Sequence, residues 1–413
     1  MEQKSNKTLA IIGQGYVGLP LAMAAVDAGW KVIGVDNFAE KVDQINLGIS
    51  PVEDISNNQL QLALSSGAYS ASCDFSRVSN ASVVAICVPT PLSAIREPDL
   101  TLLSAAASEI APHISDNTLV ISESTSFPGT LRDVIIPIFQ SLKSKKTERI
   151  YFACAPERVN PGDVIWNQKN TPRLVGGINQ ESQSRALSFY RTICDEVVSV
   201  SSPEIAESAK LLENTFRLVN IALINQFTQL CSASTIDVNE VIDAAATKPY
   251  GFMQFRPGVG VGGHCIPIDP LYLTWWARQN RVTADLIEIA DKINLEMPKY
   301  VAQRAFSLLN PLKRNPKILI VGVAYKSGLS DTRETPMKEL RETLLSLGAQ
   351  VSWHDPLVKV WEDTVQVEID WECDLVILAN LQMGMKIERI LENGTQILDC
   401  TNTQVGRTNV TLL

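Results

Sequence analysis

Thr8 to Asp36 reads TLAIIGQGYVGLPLAMAAVDAGWKVIGVD, and this stretch decides the fold. A short apolar run, Thr8 to Ile12, ends at Gly13. A glycine-rich turn, a helical stretch through Ala28 and a second apolar run, Lys31 to Val35, follow, which spells strand, helix, strand. Gly13, Gly15 and Gly18 form G-x-G-x-x-G between the first strand and the helix, and Asp36 closes the next strand roughly 20 residues on. Glycines in such a turn let the backbone approach a pyrophosphate at a helix N-terminus, where free N–H groups and the dipole favour negative charge. Asp36 would accept from a ribose 2′-hydroxyl and repel a 2′-phosphate, so NAD is expected over NADP. The plainer alternative is a glycine turn that only packs helix on strand.

Outward from this unit, the runs Val83 to Val88, Leu119 to Ser122 and Ile150 to Ala153 alternate with helical segments. The first ~190 residues therefore read as a parallel sheet with helices on both faces. From Pro203 to Ser232 the apolar positions Ala206, Leu211, Leu218, Ile221, Ala222 and Phe227 support one long helix. Further helical segments are expected from Val238 to Ala246 and from Pro270 to Leu309. At Pro316 the pattern restarts with a strand at Lys317 to Ala324, a helix at Pro336 to Leu347 and a strand at Gln350 to Trp353 followed by Asp355. The turn of this second copy reads GVAYKSG and lacks the three-glycine spacing, so a pseudo-repeat with the dinucleotide function in the first copy alone is expected. The fold class is thus α/β, with two Rossmann-like doubly wound parallel-sheet domains, 1–200 and 313–413, joined by a central helical domain, 201–312.

Composition agrees with a soluble globular chain of two or three domains. At 413 residues the chain exceeds one ordinary core, and its 45% hydrophobic and 20% charged content is average for globular proteins. A formal charge of -9 argues against a phosphate-tracking surface for nucleic acid. Met1 to Lys7 and the apolar run behind it imitate a secretory signal, but glycines and Asp27 interrupt the run and no small-residue cleavage site follows. No apolar run is long enough to span a membrane, so a cytoplasmic location is expected. Eight scattered cysteines without a C-x-x-C pair, and three histidines, make a metal site unexpected.

The densest cluster is Gly258-Val-Gly-Val-Gly-Gly-His-Cys-Ile-Pro-Ile-Asp269, four glycines converging on His264, Cys265 and Asp269. Such glycine density costs conformational entropy, and close backbone approach to a ligand is a reason to bear it. N–H groups there could lower the pKa of a thiol and stabilise an oxyanion. A buried small hydrophobe is the bland reading of Cys265, and helix capping before Pro270 that of Asp269. Lys210 and Asn214, four apart on the long helix, share one face, as a solvated pair or as a functional one. Glu157, in a loop just after an apolar strand, suits a general base, or a surface ion pair with Arg158.

Taken together, GQGYVGLP, VPTPL with REPDL, STSFPGT, APERVNPGD, AKLLENTFR and GVGVGGHCIPIDP resemble, in order, the UDP-glucose/GDP-mannose dehydrogenase family. DAAATKPYGFMQF and HCIPIDPLYLTW look most like its UDP-N-acetylglucosamine 6-dehydrogenase branch. The resemblance implies Cys265 as nucleophile, Lys210 and Asp269 as its charged and proton-handling neighbours, Asn214 and Thr125 as orienting groups, and Glu157 as base for water. It places Tyr16, Val17, Pro89, Thr90, Thr125 and Lys326 at the cofactor beside Gly13, Gly15, Gly18 and Asp36. Glu157, Arg158, Lys210, Asn214, Phe255 and Gly258 are implied at the substrate, with Gly262, Lys326 and Arg333; Asp331 lies in the same segment as the last two. Arg256 falls in the family's substrate loop without a match to the arginine some members contribute across a subunit interface. The implied reaction is a four-electron, NAD-dependent oxidation of a UDP-sugar C6 alcohol to the acid, in a homodimer or higher homo-oligomer. UDP-glucose and UDP-N-acetylmannosamine stand as alternative substrates. A two-electron β-hydroxyacid dehydrogenase, which also joins a Rossmann domain to a helix with Lys and Asn four apart, is the alternative class; Cys265 and the third domain discriminate.

Overall fold

A computed structural model describes residues 7–145, 147–160, 165–392 and 394–413. The start of the signal-like stretch, Met1 to Asn6, and the Pro161 to Asp163 end of APERVNPGD lie outside the described residues. The chain divides into two compact units, Met1–Glu213 and Asn214–Leu413.

The first unit holds eight strands: β1 (Thr8–Ile12), β2 (Lys31–Val35), β3 (Tyr69–Ser72), β4 (Val83–Ile86), β5 (Thr118–Ser122), β6 (Ile150–Cys154), β7 (Arg173–Gly177) and β8 (Val197–Ser199). Their order is β3-β2-β1-β4-β5-β6-β7-β8, parallel from β3 through β6. Both faces are covered, and the side-chain alternation shows it. Leu9 and Ile11 join one core with Leu19, Leu21, Ile45, Leu60 and Tyr190, while Ala10 and Ile12 join another with Leu103, Ile110, Leu131 and Phe139. At β6 the expectation of a uniformly parallel sheet needs one correction, because β7 pairs antiparallel to it through Ala153 and Gly177. Parallel neighbours require a crossover, usually helical, whereas the β6–β7 connection shows no helix among the described residues.

The helix Pro203–Ala233 runs 31 residues without a break, and the boundary between the units falls within it. In the second unit the expected helical stretch after Pro270 is two helices, Asp269–Gln279 and Asp285–Ser307. The first ends in a Schellman motif, with Arg281 at φ 59, Val282 N–H on the Ala277 carbonyl and Arg281 N–H on that of Arg278. Arginine in the place usually taken by glycine hid this stop from the sequence.

The second unit's strands are β9 (Lys317–Val321), β10 (Gln350–His354), the small antiparallel pair β11 (Val360–Trp361) and β12 (Thr364–Val365), β13 (Leu375–Leu378), β14 (Gln396–Asp399) and β15 (Val410–Leu412). The order β10-β9-β13-β14-β15 is parallel throughout and repeats the β2-β1-β4-β5-β6 part of the first sheet. β9 stops at Val321, short of the expected Ala324. Gly322 at φ 86 turns the chain, and Asp355 accepts from the N–H groups of Val323 and Ala324 at 3.0 and 3.2 Å.

Candidate active site

In the first unit the glycine turn is built as a cradle. Gly13 sits at φ 94 with the Cys87 carbonyl 2.5 Å from where a Cβ would be, and a Cβ on Gly18 would collide with the Gly13 carbonyl. Gly15 faces open space. The helix Gly18–Asp27 begins after Val17 with no side-chain cap and no acidic residue in its first turn; Leu19 N–H is taken by the Gly15 carbonyl at 3.1 Å and Pro20 has none, and the positive end of the helix favours an anion. Asp36 is buried at the end of β2, accepting from Gln14 N–H and Lys41 Nζ, both at 2.8 Å, and from Phe38 N–H at 3.0 Å. Tyr16 reaches Glu53 through its hydroxyl at 2.8 Å. These features fit a dinucleotide on the observed geometry of the turn.

At the carboxyl ends of β4 and β5 the two loops are tied together. Thr90 Oγ1 donates to the Thr125 carbonyl at 2.7 Å, beside the exposed Pro89, and Ser124 Oγ donates to that of Val88 at 2.7 Å. Next to the half-buried Thr125, the Ser126 hydroxyl is buried with no hydrogen-bond partner among the described residues.

Glu157 is 8% exposed, so the surface ion pair is not what forms. Its carboxylate accepts from the N–H groups of Arg158 and Val159, both at 2.6 Å, from Gln168 Nε2 at 2.5 Å and from Arg173 at 2.8 Å. Burial alone would raise its pKa, yet the Arg173 charge and these hydrogen bonds outweigh burial and hold it below the ordinary value. Arg158 instead pairs with Glu213 at 2.7 Å and donates to the Pro172 carbonyl. Arg173 also pairs with Glu123 at 3.1 Å, whose other oxygen accepts from Tyr190 Oη at 2.5 Å. Sequence reasoning passed over Arg173, Glu123 and Tyr190. The available signals were an arginine opening an apolar strand and a glutamate directly after one. Lys210 is buried, on the part of the long helix belonging to this unit.

In the second unit Asn214 Nδ2 donates to Asp269 Oδ2 at 2.5 Å, both residues buried. This corrects the capping reading of Asp269: it is the first residue of its helix, with Ile268 at the cap and no capping side chain. Four residues earlier Cys265 is exposed, its carbonyl accepting from Asp269 N–H at 2.9 Å, so the bland reading of a buried thiol fails. Burial chiefly, then the Arg333 charge, lowers the pKa of His264 and favours its neutral form.

The glycines before Cys265 have a physical reason that differs from the expected one. Added Cβ atoms at Gly262 and Gly263 would lie 2.7 Å from Tyr325, and one at Gly260 would lie 3.0 Å from the Asn294 carbonyl. Protein packing therefore accounts for three of the four. Gly258 alone opens on free space, its N–H held by Asn225 at 3.1 Å. Arg333 forms a two-point pair with Asp331 at 2.8 and 2.6 Å while its carbonyl accepts from Gly263 N–H, so this segment braces the cysteine loop; Lys326 lies half-buried in it. Phe255 meets Phe216 edge-on at 6.1 Å. Arg256 bonds Asn239 and Asp243 within its own unit.

Among the described residues no cluster of potential metal ligands occurs, and no helix is long and apolar enough to cross a membrane. The chain matches the UDP-glucose/GDP-mannose dehydrogenase family in three consecutive parts: the NAD binding domain over residues 7–194, the central domain over 204–296 and the UDP binding domain over 319–390. It is 35% identical over 388 residues to a UDP-N-acetyl-D-mannosamine dehydrogenase of Methanococcus aeolicus, covering 92% of this chain and 86% of the relative. It is 33% identical over 359 residues to a UDP-N-acetyl-D-glucosamine 6-dehydrogenase of Pseudomonas aeruginosa, covering 85% and 83%. The solved structure of the UDP-D-ManNAc dehydrogenase of Pyrococcus horikoshii superposes with a TM-score of 0.87 at 31% identity, covering 98% of both chains.

Proposed function

We propose, on the premise that this chain belongs to the UDP-glucose/GDP-mannose dehydrogenase family, that it oxidises the C6 alcohol of a UDP-N-acetylhexosamine to the uronic acid, with Cys265 as the nucleophile. The observation that carries this reading is an exposed thiol four residues before the buried Asn214–Asp269 pair, in a loop walled by glycines. Relatives are named for N-acetylmannosamine and for N-acetylglucosamine, which supports the acetamido class. UDP-N-acetylglucosamine is our first choice within it.

Held by the Gly13, Gly15 and Gly18 turn with Asp36 at its ribose, NAD would supply the hydride acceptor for each of the two oxidations at C6, one molecule per oxidation. Lys210 offers a positive charge to an alkoxide that forms as the hydroxyl proton leaves, and in a dry site such a charge acts far more strongly than in water. The Cys265 thiolate adds to the aldehyde carbon, forming a C–S bond and a thiohemiacetal whose second oxidation leaves a thioester. Water then breaks the C–S bond, the acid departs and the thiol is restored. The overall balance is alcohol, water and two NAD+ to carboxylate, two NADH and three protons. Glu157 and Thr125 belong to the water and orientation steps, and Asn214 fixes Asp269 beside the cysteine loop. Lys326 and Arg333 serve the nucleotide end of the substrate, and Gly258 and Phe255 its sugar end.

The three proposed domains divide the work: 1–200 for NAD, 201–312 for catalysis and pairing of subunits, 313–413 for the UDP moiety. A second copy of the chain is the proposed partner, because Phe216, Leu223 and Leu230 recur every seven residues as exposed apolar side chains on one helix. Eight free cysteines fit work in the cytoplasm, where thiols stay reduced, and the product we assign to the precursors of a surface polysaccharide.

The test is a panel of UDP-sugars followed by NADH absorbance. We expect two NADH per sugar with a UDP-N-acetylhexosamine, and no acid from Cys265→Ser, which still binds NAD. One NADH per sugar would favour the two-electron class, and full acid production by Cys265→Ser would remove the thiol from the mechanism.

A further inference from the structure

We propose that Arg173 is a positioning residue of the reaction, fixing Glu157 and the turn that carries it through a buried clamp shared with Glu123. The guanidinium, 2% exposed at the start of β7, gathers acceptors from three consecutive residues of the turn after β6. One nitrogen donates to the carbonyls of Ala155 and Pro156 at 3.4 Å and to Glu123 at 3.1 Å; the other donates to Glu157 at 2.8 Å and to Gln168 at 2.5 Å. The Tyr190 ring lies 5.3 Å from the guanidinium carbon while its hydroxyl holds Glu123. Only a planar fork of five donors can serve that many acceptors at once, which a lysine ammonium cannot.

Two features point past simple stability. Buried ion pairs are poor stabilisers, since apolar residues of similar size often do as well, so three buried charges call for a different reason. They also lie at the carboxyl edge of a parallel sheet, where open α/β folds place ligands. The charge balance is uneven, two carboxylates against one guanidinium. The groups facing Glu123 are Arg173 on β7, Glu157 after β6, Tyr190 on the helix Gln180–Tyr190, the Cys194 thiol just beyond that helix, the Cys87 thiol after β4 and the Cys154 thiol at the end of β6. Burial, reinforced by Glu157, pushes Glu123 up to about 7 against the pull of Arg173 and Tyr190. Near neutrality, then, Glu123 takes the proton and Glu157 keeps the charge. As Glu123 ionises, Arg173 divides between two anions and the proton affinity of Glu157 rises.

This inference rests on the reading of Glu157 as part of the water step. It is tested with the full chain by comparing Glu123→Gln, Arg173→Lys and the parent for melting temperature, NAD affinity, kcat across pH 6 to 9 and intact mass after rapid quenching with UDP-sugar and NAD. For Arg173→Lys we expect parent-like NAD affinity, kcat lowered by roughly a hundredfold, the low end of the range for a general base, and a thioester adduct that accumulates on the chain. Glu123→Gln holds that position permanently neutral, so it binds NAD like the parent, matches the parent's kcat at pH 6 and falls behind it, with adduct accumulating, as pH rises. In Glu123→Gln the limb of kcat centred near pH 7 disappears. Should Arg173→Lys not fold, Glu123→Gln decides by the same readouts. Parent-like kcat, an unchanged pH limb and no adduct overturn the proposal, even where the parent yields two NADH per sugar. A parent yield of one NADH instead overturns the four-electron reading itself, so the two failures are distinguishable.

Discussion

At Gly263 a methyl group would sit 2.7 Å from the Tyr325 ring on a backbone already at φ 82. Gly263→Ala is therefore expected to cost about 1–3 kcal/mol, the usual range for overpacking and for a strained backbone, read as a lower denaturation midpoint with unchanged slope. Gly258→Ala meets nothing within 4 Å, so its stability should stay at the parent value. A raised sugar KM in that variant with an unmoved midpoint would mark Gly258 as a ligand contact; unmoved kinetics would remove it from the site. At this scale the sequence announced residues whose signal is local: the glycine spacing with Asp36, and Cys265 with Asp269 in one run. It was silent on Arg173 and Glu123 because their meaning lies in each other, 50 residues apart in the chain. It did not foresee the packing at Gly260, Gly262 and Gly263 because their crowding comes from Asn294 and Tyr325, distant in the chain.

Single elements carry their own consequences, and the long helix Pro203–Ala233 shows one in its first turns. Glu207, buried on that helix, accepts from Gly129 N–H at 2.7 Å and Leu131 N–H at 3.0 Å, satisfying two donors at the helical start Leu131–Ile135, whose cap residue Thr130 makes no capping hydrogen bond. Burial nevertheless pushes its pKa up to about 8, above the unfolded value of 4.5. An acid raised on folding stabilises most below its unfolded pKa, and that contribution fades as pH climbs through the folded one. The melting temperature is thus expected to fall between about pH 5 and 8. Glu207→Gln should show a shallower fall in thermal scans at the same pH values; an identical slope would assign the effect elsewhere. Strands β1, β2, β4, β5, β6, β9 and β10 were legible because buried parallel strands read as short apolar runs, whereas β3, β7, β8 and the strands after β10 were not read from the sequence. The reversed direction of β7 was hidden too, since direction is set by the connection and not by the residues of the strand. The stop at Arg281 escaped because a left-handed arginine leaves no compositional mark.

For the whole molecule, the exposed Leu223 and Leu230 at 59% and 63% lead to an assembly experiment. Leu223→Glu is expected to halve the mass seen by light scattering, and a parent that already runs as a monomer would dismiss the proposed pairing. The division of the chain was readable because the strand-helix pattern visibly restarts at Pro316, and the matching strand orders bear out that repeat. The two copies share one glycine and one aspartate at equivalent places, Gly13 with Asp36 and Gly322 with Asp355, each aspartate receiving backbone N–H groups from its turn. Above Gly15 the first turn is open, while in the second the same aspartate is closed in by Gln382, whose amide donates to it at 3.3 Å and to the Leu329 carbonyl at 3.1 Å. The same turn thus stands in both sheets, open in the NAD binding domain and plugged by a glutamine in the UDP binding domain. A coenzyme finds a socket at the first and a sealed joint at the second.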